Sequence, residues 1–190
     1  AFRIHERDGK VAAGFERMAT DAVTAGEVVI RVKYSSINYK DALAATGAGK
    51  ILRKYPLNGG IDLAGTVESS TDTRYAKGQG VLVTGCQLSE SFDGGYAEVA
   101  RVAAGSVIPL PAGIDARQAM AIGTAGFTAA LAIHQMEKNG QKPANGPVVV
   151  TGATGGVGSI AVDLLAGRGY EAIAVSGKPV PGFGNEGSID

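Results

Sequence analysis

Val148-Val149-Val150-Thr151-Gly152-Ala153-Thr154-Gly155-Gly156-Val157-Gly158-Ser159-Ile160-Ala161-Val162 carries the residue types of a buried strand, a glycine hinge and a helix start, the build that cradles dinucleotide phosphates. That chemistry needs unpaired N–H groups. A helix N-terminus supplies them with the positive end of its dipole, and glycines at 155, 156 and 158 keep Cβ atoms away from a pyrophosphate. Gly155, Gly156, Val157 and Gly158 are therefore candidate cofactor-binding residues. The spacing is Ala153-x-Gly155-x-x-Gly158, with alanine where the dinucleotide fingerprint has its first glycine and Gly152 one place early. A second strand is expected over 171–175, ending in Ser176-Gly177-Lys178. An NAD site usually carries a carboxylate about 20 residues past its glycines, for the ribose 2′-OH. The hydroxyl of Ser176 and the cation of Lys178 suit a 2′-phosphate instead, so the expected cofactor is NADP. Two plainer readings stay open: a glycine-rich strand-to-helix turn needs no ligand, and Ser176 and Lys178 also fit a solvated loop.

Metal chemistry lacks its usual ligands. The chain has one cysteine, Cys86, and two histidines, His5 and His134, whereas a catalytic zinc takes about three clustered protein ligands. No metal is expected. Cys86, just past a strand, reads as a small buried hydrophobe, and His134 as a packing or surface residue. Over 190 residues, 18 Lys and Arg balance 18 Asp and Glu. No basic cluster is interleaved with aromatics, which argues against a nucleic-acid partner. No apolar run reaches the ~20 residues that span a bilayer and no signal-peptide pattern opens the chain. Neither a membrane nor an exported location is expected, and a lone cysteine suits the reducing cytoplasm.

To position a phosphate loop the chain must first build its surroundings. Val28–Tyr34, residues 63–67 and residues 81–84 read as short strands between turn signals, suggesting a barrel or folded sheet. After Pro109-Leu110-Pro111 the character changes. Asp115 and Gln118 resemble a capping box, helical patterns follow over 116–122 and 127–138 with a break at 123–126, and Asn139-Gly140 suits a helix end. The fold class expected is α/β with a β-barrel. Its parts would be residues 1–115 as a catalytic and substrate domain, 116–178 as the first part of a Rossmann-type domain, and 179–190 as a Gly/Pro-rich tail that does not continue the α/β alternation.

Three blocks together resemble one family: Tyr34-Ser35-Ser36-Ile37-Asn38-Tyr39-Lys40-Asp41-Ala42-Leu43, then Gly60-Ile61-Asp62-Leu63-Ala64-Gly65-Thr66-Val67, then Ala119-Met120-Ala121-Ile122-Gly123-Thr124-Ala125-Gly126-Phe127-Thr128-Ala129. They are similar to zinc-free medium-chain dehydrogenase/reductases, on the quinone-oxidoreductase-like branch with its acrylyl-CoA reductase (YhdH/AcuI) group. The resemblance runs from about residue 2 to Lys178. It implies a GroES-like barrel followed by a Rossmann domain, with the active site in the cleft between them, and usually a homodimer. In zinc-bearing relatives, ligands stand where this chain has Asn38 and Ile61-Asp62.

The activity implied is NADPH-dependent, metal-free hydride transfer to the activated C=C bond of a small acyl thioester, or to a quinone. Asn38 and Tyr39 are then candidate hydrogen-bond donors to the acceptor, with Asp41 positioning a neighbour, and Thr124 and Thr128 fall near the nicotinamide and its ribose. The alternatives are local: Asn38 and Asp41 can cap a turn, Tyr39 can pack, and threonines one turn apart can bond helix carbonyls. Glycine at 59 and the residues 86–92 depart from the branch pattern. Because the family continues past the first β-α-β, a truncated or non-catalytic nucleotide-binding or structural relative is the competing expectation.

Overall fold

The computed structural model describes residues 1–177 and the backbone of a two-residue strand at 188–189; Lys178 and the rest of the 179–190 tail lie outside the described residues. The chain divides into two compact units, Ala1–Thr124 and Ala125–Asp190.

In the first unit, β1 (Phe2–Arg7) pairs antiparallel with β2 (Lys10–Phe15) and with the short β4 (Leu57–Asn58). Five antiparallel strands form the main sheet, in the order β7-β3-β5-β6-β8: β3 (Val28–Tyr34), β5 (Asp62–Ser70), β6 (Gly80–Thr84), β7 (Val99–Val102) and β8 (Ile108–Pro109). Alternation along β3, β6 and β7 turns Val28, Ile30, Val81, Val83, Ala100 and Val102 onto one core with Leu63 and Val67, as a period of two requires. No described ladder joins β7 to β8, so these strands form an open folded sheet and not a closed barrel. The helix α1 (Tyr39–Thr46) follows β3.

Asp62, at the start of β5, is aimed by the turn before it. That turn lies against residues 93–96 backbone to backbone: Gly94 N–H donates to Asn58 C=O (2.9 Å), Gly95 N–H to Gly60 C=O (2.8 Å) and Tyr96 N–H to Gly59 C=O (2.9 Å). The buried Asp93 carboxylate secures the same corner, accepting from the N–H groups of Asn58 (2.8 Å) and Thr24 (2.7 Å) and from the Arg3 guanidinium at 3.3 Å.

The capping box at Asp115 forms as expected: Asp115 N–H donates to the Gln118 side chain (3.0 Å), and Gln118 N–H to the Asp115 carboxylate (2.8 Å). It starts α2 (Ala116–Lys138), whose helical backbone is interrupted at Gly123 (φ 51°, ψ −160°). Ala119 and Met120, before the break, pack on Ala64.

In the second unit, β9 (Val148–Thr151), α3 (Gly156–Gly167) and β10 (Ala172–Val175) make a parallel β-α-β unit, and β11 (Ser188–Ile189) pairs antiparallel with β10. Its core joins Ile133, Leu165 and Tyr170 to Val148 and Val150. The three valines do not form a fully buried strand. They alternate, and Val149 is 59% exposed, because the described packing covers one face of this sheet. Cys86 is likewise exposed and not buried. It sits in a left-handed stretch, with Gly85 at φ 64°, Cys86 at 48°, Gln87 at 65° and Ser89 at 57°, which turns its side chain out of the core that Leu88 enters.

A Cβ at Gly94 would stand 2.2 Å from the Gly60 carbonyl oxygen. Gly94→Ala should therefore force the two backbones apart and cost about 1–3 kcal/mol, as overpacking does. A circular-dichroism melt checks this, with a Tm loss of several degrees expected and an unchanged Tm counting against the close approach.

Candidate functional site

The three residues expected to serve the acceptor cluster where β3 leads into α1. Asn38 precedes the helix in extended conformation and its N–H donates to the Asp41 carboxylate at 2.8 Å, tying the first turn to its own entry as a capping residue does. The other Asp41 oxygen accepts from Ile61 N–H at 3.0 Å. Asp41 thus locks α1 onto the turn before β5 and is itself buried. Tyr39, the next residue, is 81% exposed.

The centre of the cluster is Asp62, fully buried. One carboxylate oxygen accepts from the Ser36 hydroxyl, from Asn38 Nδ2 (3.0 Å) and from Thr124 N–H (3.0 Å). The other accepts from the Thr124 hydroxyl (2.5 Å) and from Gly85 N–H (3.3 Å). Ser35 Oγ donates to the Asp62 carbonyl at 2.6 Å. Asn38 Nδ2 also lies 3.0 Å from Ser36 Oγ and 3.3 Å from Asp41, so its amide bridges two buried carboxylates. Tyr96 donates its hydroxyl proton to the Ser36 carbonyl at 3.0 Å. Burial, followed by the nearby charge of Asp41, pushes the Tyr96 pKa upward and keeps that donor protonated.

Asn38 and Asp62, the positions where the family resemblance put metal ligands in zinc-bearing relatives, are thus joined to each other by a hydrogen bond. Among the described residues no group of three or more His, Cys, Asp or Glu is arranged to hold a metal ion. Asp62 as a hub, Ser36 and Tyr96 are what inspection of the sequence passed over as site residues. The signal was there for Asp62: a carboxylate between Ile61 and Leu63 in an apolar strand needs partners.

Thr124 belongs to this cluster through both its backbone and its hydroxyl. Thr128, on α2 beyond the break, is exposed in the second unit. There the glycine loop has the expected form. Gly152 adopts φ 64°, Gly155 N–H returns to Gly152 C=O at 2.9 Å, and the first intrahelical bond of α3 runs from Ser159 N–H to Gly155 C=O at 2.9 Å. The N–H groups of Gly156, Val157 and Gly158 precede that bond, at the positive end of the helix. Gly155 and Gly156 are exposed and Val157 partly so, which leaves the approach open to an anion. Gly158 is different. It is buried, and a Cβ there would meet the Gly152 carbonyl oxygen at 2.2 Å, so it permits the helix to touch the turn. A cavity of about 240 Å³ runs beside the loop, lined by Ala153, Thr154, Ser159, Val162, Ala174 and Ser176. Ser176 is one of these lining residues, and among the described residues no carboxylate lines the cavity.

These features fit a nucleotide with a phosphorylated ribose, and the comparisons agree with the fold. Residues 24–112 match the alcohol dehydrogenase GroES-like domain. The chain is 50% identical over 174 residues to acrylyl-CoA reductase AcuI of Ruegeria pomeroyi, covering 92% of this chain and 53% of that one. The yhdH oxidoreductase of Salmonella enterica, solved in complex with NADP, superposes with a TM-score of 0.91 at 50% identity over 94% of this chain and 55% of that one. Bacillus subtilis yhfP, solved with NAD bound, gives a TM-score of 0.90 at 47% identity over 94% and 54%. Over nearly its whole length the chain is thus similar to medium-chain dehydrogenase/reductases of the quinone-oxidoreductase-like branch. It spans about half the length of the curated relatives it matches.

Two substitutions separate the roles of the glycines. Gly158→Ala should destabilise by about 1–3 kcal/mol through the backbone clash. At Gly156 an added Cβ would meet only the Ala125 side chain, at 3.5 Å, so Gly156→Val should cost less stability than Gly158→Ala while weakening nucleotide binding. Thermal melts and fluorescence titration with NADPH check both, and equal behaviour of the two variants would contradict the assignment. Asp62→Asn turns an amide N–H₂ toward existing donors and should cost about 1–3 kcal/mol for each group left unpaired, read by the same melts.

Proposed function

We propose that this chain carries the acceptor site and the first phosphate-binding half of an NADPH-dependent reductase that acts on the activated C=C bond of a small acyl thioester or on a quinone, without a metal. The observation that carries the proposal is the Asp62 hub. Donors converge on a buried carboxylate at the positions where the resemblance put metal ligands, so this cluster is organised by hydrogen bonds. The 50% identity to an acrylyl-CoA reductase supports the substrate class.

Bound NADPH would supply the hydride. Gly155, Gly156, Val157 and Gly158 would hold its pyrophosphate on their N–H groups. Ser176 would meet the 2′-phosphate, with Lys178 beside it in sequence, and Thr128 would lie toward the nicotinamide ribose. Tyr39, exposed at the first position of α1, is the donor suited to the acceptor carbonyl, where negative charge develops. Asn38 and Asp41 hold it there: Asp41 fixes the helix start, and Asn38 ties that start to Asp62 and through it to Thr124. Residues 1–115 would thus serve the acceptor and 116–178 the cofactor. The proposal includes a cytoplasmic homodimer, as the family implies. No described helix is long and apolar enough to cross a membrane.

NADPH oxidation with acryloyl thioesters and with a quinone tests this. Tyr39→Phe should lower turnover ~100- to 1,000-fold, as loss of one preorganised donor does, and Asn38→Ala should lower it by loosening the helix start that positions Tyr39, both with NADPH affinity within about twofold of the parent. Unchanged rates with both acceptors would overturn the assignment of these residues. NADPH should bind more tightly than NADH, and Lys178→Glu should remove that preference. Prolonged chelation should leave the rate unaltered, and zinc-restored activity would contradict a metal-free site. A parent that binds NADPH but oxidises it with neither acceptor would establish the non-catalytic reading.

A further inference from the structure

A cavity of about 530 Å³ opens in the first unit; Glu16, Arg17, Arg31, Asn58 and Glu98 line it, and Asn38, Tyr39 and Asp62 do not. Asn58, at 1% exposure, is the deepest of these. Its N–H donates to Asp93 at 2.8 Å, its C=O accepts from Gly94 N–H at 2.9 Å, and its Oδ1 accepts from Arg3 Nη1 at 2.9 Å. Only Nδ2 has no partner. Nearly every buried donor in a folded protein is paired, so an unpaired one on a cavity wall calls for an acceptor from outside the chain.

Two of the charges on this wall are already matched: Glu16 meets His5 at 2.5 Å, and Arg31 meets Glu68 at 3.0 Å. Arg17 and Glu98 are not, since among the described residues neither is in an ion pair. An anion would be drawn to Arg17 and repelled by Glu98, and a cation the reverse, whereas a molecule with both charges gains from each. Arg17 and Glu98 also line an adjoining hollow of about 570 Å³, together with Phe15 and Tyr96. Phe15 is 89% exposed. Its ring meets Phe2 edge-on at 5.4 Å, and Phe2 meets Tyr96 at 6.3 Å, so three rings hold one another beside the two charges. An apolar ring held out to water in this way suits an aromatic partner.

We propose that these two hollows form one binding site for a small aromatic zwitterion of the aromatic α-amino acid class. Its carboxylate meets the Arg17 guanidinium and, at the cavity floor, the free Asn58 amide. Its ammonium meets Glu98, and its ring lies against Phe15 and Tyr96. The site goes beyond the reductase reading and does not rest on it.

Calorimetric titration of the 190-residue chain with phenylalanine and three truncated probes tests the site: 3-phenylpropanoate lacks the ammonium, phenethylamine the carboxylate and alanine the ring. Phenylalanine should bind at least ~3-fold more tightly than each, the scale of one exposed charge pair or one ring contact. Arg17→Gln should weaken phenylalanine ~3-fold or more without weakening phenethylamine, and Glu98→Gln should do the same without weakening 3-phenylpropanoate. Both residues are exposed, so both variants should melt as the parent does. Asn58→Asp keeps an acceptor for Arg3, turns the free donor into a carboxylate oxygen, and should weaken phenylalanine ~10-fold or more; if that variant fails to fold, the other two still decide. No phenylalanine binding at ~10 mM, binding no tighter than that of the truncated probes, or binding that survives both Arg17→Gln and Glu98→Gln would overturn the proposal.

Discussion

A carboxylate taken out of water costs several kcal/mol, and Asp62 bears that cost without a neighbouring cation among its hydrogen-bond partners. Hydrogen bonds to a charged group contribute about 1.5–3 kcal/mol each, so the five donors around it can hold the charge where one or two could not. Those donors come from residues 36, 38, 85 and 124. Each segment therefore has its place set by the same anion: the entry to α1, the loop after β6, and α2 at its break. Displacing any one of them leaves a buried charge with fewer partners.

The break in α2 follows from this constraint. Thr124 must present both its N–H and its hydroxyl to Asp62, and a continuous helix would spend that N–H on the carbonyl four residues earlier. The backbone departs from helical geometry one residue before, at Gly123, where φ is 51°. Crowding disfavours a side chain there as well: a Cβ would meet the Asp62 carboxylate at 3.1 Å and the Ser36 hydroxyl at 3.2 Å, so both would have to give way by a few tenths of an ångström. The same glycine thus serves a backbone need and a packing need. The interruption expected over 123–126 is narrowed to one residue by the anion it faces.

Much of the scaffold was legible because its signals are local. The valines and isoleucine of 28–34 and the Asp115/Gln118 pair act through neighbours in sequence, and they form the strand and cap they suggest. What the residue pattern could not show depends on distant partners. Cys86 sits after an apolar strand and reads as core, yet a run of left-handed residues turns it outward. For Asn38 and Asp41 the sequence left capping and catalysis open, and the structure shows the capping contact directly: Asp41 caps the start of α1. The bridge to Asp62 crosses 24 residues of chain, which no periodicity encodes.

The glycine loop shows why a departure from a motif need not be a departure from its physics. The first glycine of the dinucleotide fingerprint serves a tight turn, and in this chain Gly152 takes the left-handed φ of 64° that such a turn requires. Ala153, one place later, is not among the residues at positive φ and needs no such freedom. Gly158 meets a steric demand between helix and turn, so it is fixed by folding whether or not a ligand binds. Gly155 and Gly156 meet neither demand so strictly: a Cβ at Gly155 would lie 3.3 Å from the Gly152 carbonyl, and one at Gly156 only 3.5 Å from Ala125. Their lack of side chains leaves the start of α3 open from outside, which is what the proposed pyrophosphate site requires.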